Sequence, residues 1–136
     1  MNESEQTLSI IKPDAVERNL QDEIKNEFNK NGFVISKEKK IHISKQEAEQ
    51  FYKVHETKPF YNDLCEYLSS GPIIVMSLQK ENAVLDNRKL MGATNPKDAE
   101  KGTLREKYGI SIDKNSVHGS DSIENAKIEI DFFFKD

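Results

Sequence analysis

The chain has 136 residues, the length of about one domain, which excludes two catalytic domains in tandem. Twenty Lys and Arg against 24 Asp and Glu give a net charge of −4, so no global positive field recruits nucleic acid or an anionic membrane, although a local basic cleft is compatible with it. Apolar residues make up only 35%, yet seven Phe, four Tyr and regular apolar spacing argue for a packed core over a disordered chain.

The first residues, Met1 to Gln6, carry no basic segment ahead of an apolar one, so no secretory signal is read there, and no run reaches the ~18 apolar residues of a membrane span. Thr7-Leu8-Ser9-Ile10-Ile11 is short, apolar and β-branched and predicts a strand; it meets Lys12-Pro13-Asp14, where Pro suits a helix start. Val16, Leu20, Ile24 and Phe28 recur every fourth residue and predict one helix, stopped at Gly32. Phe33-Val34-Ile35 and Ile41-His42-Ile43 flank a charged middle, the pattern of a long edge strand whose centre is solvated.

Ser44 to Glu47 has capping-box spacing, and Ala48, Phe51, Tyr52 and His55 follow at helical intervals. After Lys58-Pro59, the residues Phe60, Tyr61, Leu64, Cys65 and Leu68 predict a second helix, closing a helical hairpin. Cys65 is the single cysteine, which excludes an internal disulfide and fits a reducing, cytoplasmic setting; with three His it matches no common zinc-ligand spacing. Ile73 to Leu78 is almost continuously apolar and predicts a central strand covered on both faces. Asn82 is the expected cap of a helix ending at Gly92, and 93–115 reads as a long ordered loop with weak helical turns. A short strand over 115–118 and a final helix carrying Ile123, Ala126, Ile130 and Phe133 complete an alternating α/β order, an open sandwich on a four-stranded sheet.

None of the six glycines builds a Walker A loop or a Gly-x-Gly-x-x-Gly turn, so a nucleotide must be held by side chains. The most informative stretch is Asn115 to Ser122, where His118 precedes a helix start and Gly119 permits close backbone approach. The positive helix end disfavours imidazolium and would stabilise a phosphate, which suits a nitrogen nucleophile; a satisfied structural histidine stays open beside that reading. Lys12, Arg88 and Arg105 are phosphate-ligand types near polar loops, but periodicity does not bring them together. Tyr52 and His55 form either one wall of a cleft or two surface side chains, and His42 reads as structural or exposed. For a carboxylate to orient His118 the residues leave Glu124 and Glu129 open, Glu124 being better explained as a cap partner.

The stretch NSVHGSDS resembles the active-site signature of nucleoside diphosphate kinases, and TLSIIKPDAV, FYKVHETKPFY, SGPIIVM, NRKLMGATNP and KGTLREKYG extend the resemblance over essentially the whole chain. It implies one such domain over 1–136, with a ferredoxin-like sandwich around an antiparallel four-stranded sheet. It implies transfer of the terminal phosphate of a nucleoside triphosphate to a nucleoside diphosphate through a phosphohistidine on His118. By the same resemblance Glu129 with Ser120 would orient the histidine, Lys12, Tyr52, Arg88, Thr94, Arg105 and Asn115 would contact nucleotide and phosphates, and Phe60 would stack on the base. An aromatic face accepts any base, which accounts physically for broad base tolerance, and the resemblance implies both ribo- and deoxynucleotide substrates. Magnesium would arrive on the nucleotide, without a protein metal cage, and the subunits would assemble as tetramers or hexamers. The alternatives are a nucleotide-binding scaffold without turnover and a phosphohistidine carrier to a protein partner. Departures are modest: Ala15 for a common Gly, Lys58 for the usual Arg, Gln79-Lys80 for Glu-Gly, and an end at Asp136 short of the extension that helps some members form hexamers.

Overall fold

The computed structural model describes residues 5–111 and 114–134. Strand β1 (Glu5–Ile11) leads into α1 (Pro13–Glu17), which Pro13 opens at its first position, and α2 (Gln21–Lys30) follows. The single helix expected here is broken: Asn19 takes φ 59°, and Leu20 N donates to Ala15 O. Asn tolerates this left-handed geometry, and the apolar period survives the break because Val16, Ile24 and Phe28 all enter one core.

Strand β2 (Val34–Ile41) is followed by α3 (Lys45–Phe51), whose predicted capping box is present: Glu47 N donates to Ser44 Oγ at 3.1 Å and Ser44 N to Glu47 Oε1 at 2.9 Å. The helix ends at Phe51, and a 3-10 turn over Lys53–His55 leads toward α4 (Tyr61–Leu68), forming the hairpin. Then come β3 (Ile73–Lys80) and α5 (Ala83–Met91). Asn82 caps α5 by its left-handed backbone, φ 58°, and not by its side chain; Glu5 Oε2 instead accepts from Val84 N at 2.8 Å. The 93–115 segment carries a 3-10 turn at Pro96–Asp98 and α6 (Leu104–Tyr108), capped by Asn95 and Thr103. Strand β4 (Val117–Gly119) and α7 (Ile123–Phe133), capped by Ser122, close the described chain.

The sheet runs β2-β3-β1-β4 with every pair antiparallel, which bears out the expected four-stranded antiparallel sandwich and places the charged β2 at an edge. Both faces are covered. Ile11, Met76, Leu78 and Val117 pack with α1, α2, α5 and α6, while Leu8, Ile10, Ile73 and Val75 pack with α3, α4 and α7. That is why β1 and β3 read as apolar runs; each large side chain so buried contributes roughly 2 kcal/mol. Among the described residues no helix is long and apolar enough to cross a membrane.

Candidate active site

Because side chains alternate along β4, Val117 enters the core beneath α5 while His118, opposite Ile10 in register, turns to the other face. There it meets α7. Ser122, Ala126 and Glu129 lie along one helix face, and α7 packs on β1, which carries Glu129 back to the histidine. His118 Nε2 is 3.1 Å from Glu129 Oε1, and both side chains are about one-fifth exposed, 20% and 18%. A carboxylate only accepts, so in the neutral ring the proton sits on Nε2 and Nδ1 keeps its lone pair. Ser120, fully buried, donates from Oγ to the same Glu129 oxygen at 2.8 Å and accepts from Leu8 N at 3.2 Å. Glu129 is thus the histidine's partner and Glu124 is not, the choice that spacing left open.

The histidine stands against aromatic rings. Phe51 meets it edge-on at 5.3 Å and Tyr52 at 6.4 Å between ring centroids. From Tyr52 the rings continue outward, to His55 at 6.2 Å and from His55 to Phe60 at 6.3 Å, and Phe60 is 45% exposed. Tyr52 and His55 therefore belong to one wall. Burial, followed by the Glu129 charge, pushes the Tyr52 phenol far above its ordinary value, so it is a neutral hydroxyl at any working pH.

The cationic side is built from α5, the following loop and α6. Gly92, at φ 85°, ends α5 in a conformation that side chains rarely adopt, and its carbonyl accepts from Arg105 Nη1 at 3.1 Å. Arg105 Nη2 donates to Val117 O at 3.0 Å, which ties the arginine to the strand of the histidine. Arg105 is 9% exposed, and burial together with nearby Arg88 pulls it down to about 10, still cationic at neutral pH. Arg88, Thr94 and Arg105 line one open cavity of about 310 Å³. Lys12, at the end of β1, donates from Nζ to Asn115 Oδ1 at 2.9 Å, and Asn115 Nδ2 donates to Thr94 O at 3.0 Å. A linked set of hydrogen bonds thus joins residues 12, 94 and 115.

The structure brings the expected residues into two connected groups: His118, Glu129, Ser120 and Tyr52 on one side, and Lys12, Arg88, Thr94, Arg105 and Asn115 on the other, with Phe60 at the exposed end of the ring series that starts at His118. Phe51 also stands against His118, a neighbour that sequence reading does not single out; its helical spacing with Ala48 and His55 is the available signal. His42 stands apart, its Nε2 2.8 Å from Ser69 O. Among the described residues no group of three or more His, Cys, Asp or Glu could hold a metal.

This arrangement suits phosphoryl chemistry: an oriented imidazole, a neutral phenol and several cationic or amide donors with little acidic competition. Comparison with known proteins agrees. The family described as nucleoside diphosphate kinase matches residues 5–136. The nucleoside diphosphate kinase of Campylobacter jejuni serotype O:6 is 58% identical over 131 residues, 96% of each chain. That of Wolinella succinogenes is 56% identical over 130 residues, 96% of this chain and 95% of that one. Among solved structures, the nucleoside diphosphate kinase of Aquifex aeolicus superposes with a TM-score of 0.94 at 37% identity, covering 97% of this chain and 96% of that one. The Encephalitozoon cuniculi enzyme in its apo cubic form gives 0.94 and 37%, with coverage of 97% and 90%. The chain belongs to the nucleoside diphosphate kinase family, phosphotransferases that move the terminal phosphate of a nucleoside triphosphate to a nucleoside diphosphate.

Proposed function

We propose that His118 carries the phosphate between the two nucleotides and that its Nδ1 is the attacking atom. The observation that carries this reading is the Nε2 to Glu129 contact of 3.1 Å, which leaves Nδ1 with its lone pair. That pair forms a bond to the terminal phosphorus, the bond from phosphorus to the bridging oxygen breaks, and the diphosphate leaves with those electrons. A second diphosphate takes the phosphate by the reverse step. In the phosphorylated state the ring carries positive charge, which the Glu129 carboxylate offsets; Ser120 holds that carboxylate in place.

The remaining roles follow from charge and placement. Arg88, Arg105 and Thr94 hold the transferring group, Lys12 and Asn115 hold phosphates and sugar hydroxyls, Tyr52 donates a neutral hydroxyl, and exposed Phe60 stacks on the base. Stacking without edge-reading hydrogen bonds makes any base acceptable, and the substrates are ribo- and deoxynucleotides alike. Magnesium fits as an ion delivered on the nucleotide, because the donors around the cleft are cations and amides, and Glu129 is already engaged. When bound there it neutralises charge on the phosphates.

We also place the protein in the cytoplasm as a homo-oligomer, a tetramer or hexamer of one-domain subunits. The oligomer is supported by an edge strand with Val34 59% exposed and a hollow beside it lined by Ile41, Ile43, Ile128 and Phe132.

The test is incubation with magnesium and ATP labelled on its terminal phosphate, followed by a chase with CDP or GDP. The expected result is an acid-labile, base-stable label on the protein, absent in His118→Ala and discharged onto the diphosphate. Label transferred only to protein would support a carrier, and nucleotide binding without exchange would support a scaffold.

A further inference from the structure

Asp14, in α1, is 5% exposed and is hydrogen-bonded to the side chains of Arg18, Tyr67 and Ser116. Its Oδ2 accepts from Ser116 Oγ at 2.7 Å and from Arg18 Nη2 at 3.0 Å. Its Oδ1 accepts from the Tyr67 hydroxyl, and that hydroxyl in turn accepts from Asp14 N at 2.9 Å. Arg18 Nη2 extends the cluster to Ser116 Oγ at 3.1 Å and to Tyr108 O at 2.6 Å. One buried carboxylate therefore links the helix after Lys12, the α4 arm of the hairpin and the residue between Asn115 and Val117, and Arg18 carries the cluster on to the end of the helix bearing Arg105.

Ser116 has the unusual backbone. It is fully buried and has φ 74°, a left-handed value that a residue with a Cβ rarely takes. Val117 N donates to Asn115 O at 2.9 Å across it, so Ser116 is the centre of a γ-turn with positive φ, a strained conformation that surrounding structure must hold. Its carbonyl is held as well, accepting from Lys12 N at 2.8 Å. The turn decides two directions at once: where the Asn115 amide points, which is to Lys12 Nζ, and how the chain enters the three-residue strand of His118.

We propose that Asp14 is a positioning residue for phosphoryl transfer, acting through Ser116 to hold the γ-turn that sets Asn115 against Lys12 and aligns the strand of His118. The proposal rests on the reading of that histidine as the nucleophile. The Asp14–Ser116 hydrogen bond supplies what glycine would supply by itself, a stable left-handed residue. Serine at this position thus depends on aspartate 102 residues earlier in the chain.

The experiment compares kcat and KM for nucleotide exchange, with thermal midpoints, in Ser116→Ala, Ser116→Gly, Asp14→Asn and the Asp14→Asn/Ser116→Gly double variant. Ser116→Ala and Asp14→Asn are expected to lose roughly tenfold to a hundredfold in kcat, because small misplacements of reacting groups cost that much. Ser116→Gly is expected within about threefold of the unmodified enzyme, and in the double variant it restores most of the Asp14→Asn loss, since glycine needs no pin. A hydroxyl serving stability alone would make glycine the worst substitution. Hence Ser116→Gly as impaired as Ser116→Ala, an unimpaired Ser116→Ala, or a double variant no faster than Asp14→Asn would overturn the proposal. If Ser116→Ala fails to fold, the pair with and without Ser116→Gly on Asp14→Asn decides the same point. Exchange by the unmodified enzyme without label on the protein would sink the nucleophile reading separately, leaving the rescue pattern to judge Asp14.

Discussion

If Phe60 stacks on the base as proposed, one side chain separates affinity from selectivity. It is 45% exposed and its ring neighbour is His55, so it offers a face to a base and no hydrogen-bonding edge. Phe60→Ala should weaken binding of purine and pyrimidine diphosphates alike, by roughly 1–3 kcal/mol in calorimetric titrations. A loss confined to one base would refute stacking as its role. Glu129 shows what sequence reading reaches and where it stops at this scale. Helix periodicity placed Glu129 on a face with Ser122 and Ala126, but whether that face meets His118 depends on β4 lying beside α7, information that no local pattern holds. The same limit applies to Asp14 and Ser116: both are ordinary loop-and-helix polar residues in sequence, and their 102-residue separation hides the hydrogen bond between them.

Elements were legible where one local rule dominated. The Ser44 capping box, the apolar β3 and the solvated edge β2 each follow from a single strong signal, and each is present. The helix break at Asn19 and the Asn82 backbone cap were illegible because both turn on φ, which Asn permits without requiring. Gly119 lies close under α5: a Cβ there would come within 2.7 Å of Met91 Cε and press on Asn87 Nδ2, so these buried side chains would have to shift. Gly119→Ala should therefore cost roughly 1–3 kcal/mol in urea unfolding, through strain between β4 and α5. A smaller interaction joins α2 to α6, where Lys107 Nζ lies 3.0 Å from Glu27 Oε2. The hydrogen bond from Lys107 holds the Glu27 carboxyl below its ordinary value, outweighing partial desolvation. A lowered carboxylate pKa stabilises the fold above the unfolded value, and the gain disappears as pH falls through the folded one. Glu27→Gln is thus expected to cost at most about 1 kcal/mol near neutrality and nothing in strong acid, measured as paired denaturation curves.

Across the whole molecule, the residues proposed to form the nucleotide site are spread from Lys12 after β1 to Glu129 on α7, so a ligand that bridges them would join segments that unfolding separates. Nucleoside diphosphate at a hundredfold excess over its dissociation constant should add about 2.7 kcal/mol to unfolding stability, seen as a rise in thermal midpoint. Arg105→Ala should lose most of that rise at the same concentration, and an undiminished rise would remove Arg105 from the binding set. The strand alternation and the sandwich class were readable, because apolar runs separated by helical periods constrain the layers. The order β2-β3-β1-β4 was not, since pairing partners lie far apart in sequence: Glu5 stands opposite Lys80, and Ile10 opposite His118. That wide spacing matters during synthesis. A nascent chain that has emerged as far as α5 owns Lys12, Tyr52, Phe60 and Arg88 but neither His118 nor Glu129, and β1 still lacks one neighbour. On the mechanism proposed above, phosphate transfer waits for His118 and for the Glu129 that α7 carries to it, so activity would report translation through that helix.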